Sequence, residues 1–277
     1  MICLHVTINK TKCVHGGHTM ADPKKNQYSI SAVEHALTVL EFIVKKQADV
    51  SAIEIHARTG IPKPTLHKLL QTLRQLGYIE QNEETNQYSA TMKPLQVGYY
   101  CLNRRQFLST FYPYVLMYLR RFRCAISLSV FSRNEVVVAY SAIGGANTVV
   151  DSNSIVGLTS SIYASSSGRI LLASLSDDDV RELLSVIPLT PFTERTPHSV
   201  EDILLSLEQV RNEGFCRLDG ERYYGFSTIS FPLYDITKHL VGTLDLAMPT
   251  AEIDSAMTDA VIAEIMHTLS RVQLNCN

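Results

Sequence analysis

Residues 51–77 read SAIEIHARTGIPKPTLHKLLQTLRQLG, and this stretch decides the fold of the N-terminal part of the chain. The turn Thr59-Gly60-Ile61 separates two segments that both have helical periodicity. In the second segment, leucines recur at helical spacing and predict one buried face. They are Leu66, Leu69, Leu70, Leu73 and Leu76. The pattern therefore predicts two helices joined by a tight turn, which is a helix-turn-helix.

The side of the second helix that faces away from the leucines is polar and basic. No acidic residue occurs between His56 and Ile79, although several basic residues do. They are Arg58, Lys63, Lys68 and Arg74. The second helix of such a unit usually enters the DNA major groove, so one set of side chains is predicted to contact DNA. The set is Lys63, Thr65, His67, Lys68 and Gln71. The alternative is a polar helix face that is only solvated.

The ends of the two helices have recognisable signals. Asp49 or Ser51 can cap the first helix, and Glu54 completes a capping box with Ser51. Pro64 suits the first turn of the second helix, where a missing N–H group costs no hydrogen bond. Because a residue before proline prefers extended geometry, Lys63 is predicted to be the N-cap.

Segments on both sides complete a DNA-binding domain. Upstream, apolar residues at steps of three and four predict another helix. They are Ile30, Val33, Leu37, Leu40 and Val44. Downstream, residues 78–81 and 87–89 predict two short strands joined by a turn, which is a hairpin or wing.

The size and charge of the chain limit the protein class. A length of 277 residues suggests two domains, at roughly 100–200 residues per domain. The net charge of −2 excludes a basic protein that coats nucleic acid along its whole length. DNA affinity must therefore come from a local patch, and residues 56–79 provide one.

The composition also indicates a compartment. No apolar run reaches the roughly 18–20 residues that span a bilayer, and the N-terminus lacks a secretory apolar region. The six cysteines are scattered, which is typical of free thiols in a reducing compartment. We therefore expect a cytoplasmic protein without membrane contact.

Residues 1–27 are polar and irregular, and we expect a disordered leader, or a segment that precedes a true start at Met20. Cysteines and histidines gather there without the paired spacing of a zinc site. They are Cys3, His5, Cys13, His15 and His18. We therefore expect no bound metal, and no motif indicates a cofactor.

The second half of the chain mixes helices and strands. From Pro94 a mostly helical stretch continues towards Arg123, as a linker helix followed by the first helix of a second domain. Strands are predicted at residues 125–131, 136–140, 228–234 and 240–247. Helices are predicted at residues 168–175, 200–212 and 254–274, and a further helix begins at Asp177. This alternation indicates a mixed α/β domain with antiparallel strands.

Two ordered groups of residues carry a resemblance to a known family. The first group runs from Gly60 to Leu70 and continues with Leu73, Leu76, Gly77 and Tyr78. The second group comprises Val156-Gly157, Tyr163 to Arg169, Leu171-Leu172-Ala173, Glu213-Gly214-Phe215, Asp219, Glu221, Gly225 and Ile229, with Pro232 and Pro249 beyond. In this order and at these spacings, residues 28–275 resemble the IclR family of bacterial transcription regulators.

The resemblance implies an α/β (α+β) protein with three parts. They are a winged helix-turn-helix domain at residues 28–93, a linker helix at 94–110 and a GAF-like effector-binding domain at 111–277. The implied function is sequence-specific regulation of a catabolic operon, with repression favoured over activation. The implied partners are a palindromic operator in double-stranded DNA, a small sugar-derived or carboxylate effector, and further copies of the chain in a homodimer or homotetramer.

The resemblance also implies an effector pocket. Its residues would be Ser166, Ser167, Asp219, Thr228, Asp245 and Ala247. Ser166 and Ser167 open a helix, and helix N-termini favour anions. Asp245 and Ala247 stand where the family often has serines, so Asp245 would repel a simple keto-acid but accept hydrogen bonds from hydroxyls or an amine. This favours a polyhydroxy effector, unless Asp245 turns outward.

The DNA-binding half departs from the family pattern as well. Lys68 stands where arginine is common, and a lysine supplies charge without a bidentate fork. Pro64 replaces a common serine, and Glu83 and Glu84 make the tip of the wing acidic. These differences predict an operator-binding mode that differs in detail from that of the family.

Two other functions compete with this interpretation. The second domain could serve oligomerisation alone, in which case no metabolite would release DNA. Residues 164–168, Ala-Ser-Ser-Ser-Gly, partly match the G-x-S-x-G nucleophile motif of hydrolases. The segment lacks the first glycine, and no partnered histidine and aspartate are indicated. We therefore expect a protein that is not an enzyme.

Overall fold

The computed structural model describes two compact units. The described residues are 29–46, 48–103, 107–122, 124–132, 135–145, 148–151, 156–252 and 255–272. The N-terminal unit includes the described residues up to Asn103, and the C-terminal unit includes those from Phe107 onwards. The predicted leader and its cysteines and histidines lie outside the described residues. None of the described helices is long and apolar enough to traverse a lipid bilayer.

The N-terminal unit is a winged helix-turn-helix followed by one more helix. Its elements are α1 (Ser31–Lys46), α2 (Ala52–Thr59), α3 (Lys63–Gln75), β1 (Ile79–Gln81), β2 (Tyr88–Ala90) and α4 (Lys93–Asn103). The core joins α1, α2, α3 and the hairpin β1–β2. Leu66, Leu70 and Leu73 of α3 are buried in it as predicted, whereas Leu76 is exposed because α3 ends there.

Local signals position the turn between α2 and α3. The hydroxyl of Ser51 accepts a hydrogen bond from the backbone N–H of Glu54 at 3.2 Å, which is one half of the predicted capping box. The Glu54 carboxylate instead accepts from Lys46 Nζ at 2.6 Å. Gly60 ends α2 with a φ of 68°, which a residue with a side chain adopts at a cost. The predicted N-cap of α3 is wrong by one residue, because Pro62 is extended there and Lys63 is already helical.

The helix predicted from Ile30 onwards is present as α1, but its buried face is not the apolar stripe that indicated it. Val39 and Ile43 are buried, whereas Val33, Leu37 and Val44 are exposed. The apolar side chains of α1 point to most sides of the helix. Periodicity alone therefore could not identify the face that packs on α3 and β2.

The C-terminal unit is a mixed α/β domain. Its helices are α5 (Phe107–Arg121), α6 (Ser166–Ala173), α7 (Asp177–Ser185), α8 (Val200–Glu213) and α9 (Ser255–Leu269). Its strands are β3 (Ala125–Ser132), β4 (Glu135–Gly145), β5 (Thr148–Asp151), β6 (Thr159–Ser160), β7 (Cys216–Asp219), β8 (Phe226–Tyr234) and β9 (Leu240–Pro249). A 3-10 turn at Thr250–Glu252 joins β9 to the segment before α9. The α/β class and the main elements are as predicted, but β5, β6 and β7 were not.

The strands form one antiparallel sheet with two different faces. The order is β5-β4-β3-β9-β8-β7, and β6 also pairs with β4. One face is apolar and packs on α5 and α9, through residues such as Leu128, Phe231 and Leu246. The other face lies towards α6 and contains many hydroxyl side chains in its central strands. Buried polar side chains are uncommon inside a domain, so this face of the sheet is a candidate binding site.

Candidate DNA interface and effector site

The exposed side of α3 is a continuous polar surface. Lys63, His67 and Gln71 are exposed at successive positions four residues apart, which places them on one side of the helix. Lys68 is exposed beside them, and Thr65 is half-buried at the edge of this surface. The structure therefore exposes four of the five predicted DNA-contact residues on α3, with Thr65 partly buried, while Leu66, Leu70 and Leu73 face the core.

Contacts within the unit hold this surface in place. The Nδ1 atom of His56 lies 2.7 Å from the carbonyl oxygen of Ile61, across the turn between α2 and α3. At the other end of α3, the Arg74 guanidinium donates a hydrogen bond to Gln81 on the wing at 2.9 Å. Arg74 is therefore engaged by its own domain, whereas Lys63 and Lys68 appear in none of the ion pairs formed by the described residues.

The tip of the wing is a tight acidic turn. The side-chain oxygen of Asn82 accepts hydrogen bonds from the backbone N–H groups of Glu84 and Thr85, at 2.9 and 3.1 Å. Glu83 and Glu84 are both exposed. Two carboxylates at this position repel phosphate, which leaves α3 as the surface of this unit suited to DNA.

The polar face of the sheet meets the first turn of α6. The Ser165 hydroxyl caps this helix by accepting a hydrogen bond from the Gly168 N–H at 3.0 Å. A Cβ atom at Gly168 would lie 2.3 Å from the carbonyl oxygen of Ile162, so only glycine allows this close approach. As a result, Ser166 is buried at the helix start, directed at the sheet.

A chain of hydrogen bonds connects Ser166 with Asp245. The hydroxyl oxygens of Ser166 and Ser230 are 2.7 Å apart, and the Ser230 hydroxyl donates to Oδ1 of Asp245 at 2.6 Å. The other carboxylate oxygen of Asp245 accepts a hydrogen bond from Ser129, also at 2.6 Å. Asp245 therefore faces α6 and does not turn outward.

The surroundings of Asp245 disfavour its charge. Burial raises the pKa of this carboxyl, while the hydrogen bonds from Ser129 and Ser230 act in the opposite direction. The nearby Thr243 hydroxyl also favours the ionised form, although it is fully buried and forms no well-aligned hydrogen bond with a described residue. The described part of the chain places no cation in an ion pair with Asp245.

The structure brings together most of the predicted effector residues. Thr228 is paired with Ala247 across β8 and β9, and Ser230 is paired with Asp245. Paired residues share a face, so Thr228, Ala247 and Asp245 lie on the α6 side of the sheet. All three are partly accessible, whereas Ser166 and Ser167 are buried in the first turn of α6.

Asp219 does not belong to this group. It is paired with Ser227 on β8, one residue out of phase with Thr228, and therefore lies on the opposite face of the sheet. Burial raises the pKa of its carboxyl, but hydrogen bonds from Ser227 and Arg217 outweigh that effect and hold the pKa below its usual value. The side chain of Asp219 thus interacts with residues of β7 and β8 in this structure.

A cleft opens beside Thr228. Its free volume is about 10 Å³, roughly the room for one water molecule, so the cleft is narrow in this structure. It is lined by Ala164, Leu218, Glu221, Arg222, Tyr223, Phe226 and Thr228. The guanidinium of Arg222 stacks over the Phe192 ring, 3.7 Å from its centre. The aromatic and basic residues of this rim were not predicted, because only the fold brings them next to α6.

Arg169 is the second feature that sequence reasoning missed. Its side chain is fully buried, and its Nη2 donates to Glu221 at 3.0 Å. Its Nε donates to the carbonyl oxygen of Tyr163 at 2.5 Å, and its Nη1 donates to the Ser206 hydroxyl of α8. Burial lowers the pKa of Arg169, and the Glu221 carboxylate opposes this. Glu221 therefore braces the rim of the cleft.

The serines of residues 164–168 are engaged in structural hydrogen bonds. The Ser165 hydroxyl donates to the carbonyl oxygen of Ser161 at 2.5 Å and caps α6, and Ser166 bonds to Ser230. Across the part of the chain that the structure describes, no histidine is a hydrogen-bond partner of these serines. A nucleophile needs such a base, so this geometry does not favour hydrolysis.

The buried ion pair of Arg169 should be important for stability. We expect Glu221→Gln to destabilise the fold by about 3 kcal/mol, because removing one partner leaves a buried charge uncompensated. Glu201→Gln is the matched control, since it breaks the exposed pair with Arg181 and should cost about 0–1 kcal/mol. Urea unfolding measures both values, and equal losses in the two variants would contradict this role of Arg169.

The raised pKa of Asp245 predicts a pH-dependent penalty. An unfolded aspartate ionises near pH 3.9, whereas the folded protein resists ionisation, so Asp245 reduces stability increasingly as the pH rises from about 4. Asp245→Asn removes that penalty and should raise the melting temperature at pH 7 by a few degrees, at roughly 2–4 °C per kcal/mol. The gain should disappear towards pH 4. The exposed Asp178→Asn serves as control in calorimetry, and a pH-independent difference for Asp245→Asn would refute the penalty.

Comparison with known proteins places this geometry in a family. Residues 101–273 match the model for the C-terminal domain of the bacterial transcriptional regulator IclR, and residues 32–83 match the IclR helix-turn-helix domain. The chain is 26% identical to the HTH-type transcriptional regulator KdgR of Escherichia coli over 251 residues, or 91% of this chain and 94% of that protein. It is 22% identical to the transcriptional repressor IclR of E. coli, over 83% and 84% of the two chains.

A solved structure has a similar fold over most of the chain. An IclR homolog from Microbacterium hydrocarbonoxydans, complexed with 4-hydroxybenzoate, superimposes with a TM-score of 0.72 at 20% identity. The match covers 86% of this chain and 97% of that one. The described helix-turn-helix and mixed α/β domain are thus those of a known class of regulator. The chain belongs to the IclR family of helix-turn-helix transcriptional regulators.

Proposed function

We propose that the protein represses a catabolic operon by binding a palindromic operator through α3, under the control of a small metabolite bound in the C-terminal domain. The exposed, acid-free surface of α3 is the observation that carries this proposal. No catalytic step is part of it. Because the operator would lie on chromosomal DNA, the proposed place of action is the cytoplasm.

The proposed DNA contacts follow from the chemistry of the α3 surface. Lys63 and Lys68 are exposed cations without an ion-pair partner in the described residues, so they are available for phosphates or for the acceptors of guanine. His67, Gln71 and Thr65 can form hydrogen bonds with base edges or the backbone. A lysine at position 68 offers a point charge, so its proposed role is affinity more than base discrimination.

The proposed effector site is the polar sheet face beside α6. Ser166, Ser167, Thr228, Asp245 and Ala247 surround it, and the cleft at Thr228 gives access. The hydroxyls and the carboxylate of this face suit a polyhydroxy or sugar-derived compound better than a simple carboxylate. The relative from M. hydrocarbonoxydans binds 4-hydroxybenzoate, which supports a small-molecule site in this fold without identifying the effector of this chain.

We also propose that residues 94–123 form the interface of a dimer. Helix α4 supports this proposal because it exposes large apolar side chains to solvent along its length. They are Leu95, Val97, Tyr99 and Tyr100. Light scattering at micromolar concentration should give at least twice the chain mass of 31.0 kDa, and a monomer would contradict the interface.

The proposed operator contact of Lys68 has a measurable signature. Lys68→Ala should weaken operator binding and reduce the slope of log affinity against log salt by about one counterion per site, because each neutralised phosphate releases about one ion. Fluorescence anisotropy with operator DNA over a range of salt concentrations measures both quantities. Lys45→Ala is the control, since Lys45 is an exposed cation of α1 that is paired with Glu41. Unchanged affinity and slope would remove Lys68 from the interface.

A further inference from the structure

Asp245 has no cationic partner among the residues that the structure describes. Its two carboxylate oxygens accept hydrogen bonds from Ser129 and Ser230, both at 2.6 Å, and both partners are neutral. None of the ion pairs among the described residues includes Asp245. Arg169, a buried cation of α6, is paired with Glu221. Ionising a mostly buried carboxyl without a cation is costly, and a ligand group that brings positive charge would offset that cost.

The hydrogen-bond directions make the neighbouring groups acceptors. The Ser230 hydroxyl has a single proton and donates it to Oδ1 of Asp245 at 2.6 Å. That proton cannot also serve the 2.7 Å contact between the Ser230 and Ser166 oxygens, so Ser166 is the donor there and keeps lone pairs that can accept. The carboxylate and the Ser166 hydroxyl thus both present acceptor capacity, which matches a ligand group rich in donors.

Asp245 is also accessible from the side of the cleft. It is partly exposed, and so are Ala247 and Thr228, which follow it on the same face of β9 and β8. Thr228 also lines the cleft described above. Ala247, the next residue on this face of β9, has a small side chain. The carboxylate is therefore approached along the partly exposed face that Thr228 and Ala247 share with it.

We infer that the effector carries a protonated amine and that Asp245 binds it, so that this residue selects cations over anions in the effector site. The inference rests on the proposed function and deepens it, because it names the chemical group that the site recognises. An ammonium group has three donors for the acceptors supplied by Asp245, Ser166 and Thr228. A carboxylate at the same place would face Asp245 at close range and would be repelled.

Three probes that differ in one group test this charge preference. They are 4-hydroxybenzylamine, 4-hydroxybenzyl alcohol and 4-hydroxybenzoate, and they share the ring and hydroxyl of the compound bound by the relative from M. hydrocarbonoxydans. Isothermal titration of the full-length protein with each probe should give the order amine, then alcohol, then carboxylate. We expect the amine to bind at least about tenfold more tightly than the alcohol, and the carboxylate to show no detectable binding.

Asp245→Asn tests the residue itself. The amide keeps the size of the side chain and removes the charge, so the preference for the amine over the alcohol should fall about tenfold. Asp178→Asn removes a carboxylate from an exposed position on α7 and should keep the wild-type order. If Asp245→Asn does not fold, the order of affinities of the three probes for the wild-type protein still tests the inference.

Each other outcome overturns the inference. Equal affinities for the three probes, preference for the carboxylate, or no binding of any probe to the wild-type protein would show that Asp245 does not select a cation. Failure of the proposed function is recognised separately, because it would appear as loss of operator binding in the anisotropy assay. Operator binding that persists without a charge preference among the probes therefore rejects this inference alone.

Discussion

The buried guanidinium of Arg169 is the interaction on which the C-terminal domain depends. It lies within α6 and connects that helix to the Tyr163 carbonyl, to Ser206 on α8 and to Glu221 in the loop before β8. The arginine guanidinium is planar and has five N–H donors, so it can form hydrogen bonds with three separate segments at once. The start of α6 and the rim of the cleft are thereby fixed together, so the geometry at Ser166 and Thr228 is set before any ligand arrives.

The two faces of the C-terminal sheet differ: one stabilises the domain, and the other contains the proposed binding site. Its apolar face buries residues such as Leu128, Phe231 and Leu246 against α5 and α9, and this face holds the domain together. The opposite face places Ser230 and Asp245 in central strands, where aliphatic side chains would contribute more to stability. Polar groups in such a position need complete hydrogen bonding, and the chain from Ser166 to Asp245 largely supplies it.

Sequence reasoning predicted those features that short-range chemistry determines. The cap at Ser51 and the left-handed turn at Gly60 depend on three or four neighbouring residues, and both are present. The helix α1 was predicted from its apolar spacing, but tertiary contacts, not periodicity, determine that Val39 and Ile43 are its buried residues. The α/β class was predicted from the order of helices and strands along the chain. That order does not depend on where each element begins and ends.

The effector site was predictable only in part, because its geometry depends on register and on distant contacts. Successive residues of β7 point to opposite faces of the sheet. Leu218 therefore lines the cleft, whereas Asp219, the next residue, points to the face away from α6. Arg169 and Glu221 are 52 residues apart, and neither has a local signal that would join them. Thr228 and Ala247 were identified through the family resemblance, and the strand pairing of β8 and β9 explains why they belong together.

The two units use charge in opposite ways, and solvent explains the difference. Lys63 and Lys68 lie exposed on α3, where water and salt screen single charges, so they become effective only against a dense array of phosphates that releases counterions. Asp245 is hydrogen-bonded to hydroxyls and only partly exposed, so a charge there is less screened and acts strongly over a short distance. A screened, repeated charge suits a long polyanion, whereas a single, less screened charge suits one group of a small molecule. The placement of charge relative to solvent therefore supports the proposed DNA contact at α3 and the proposed small-molecule site on the sheet.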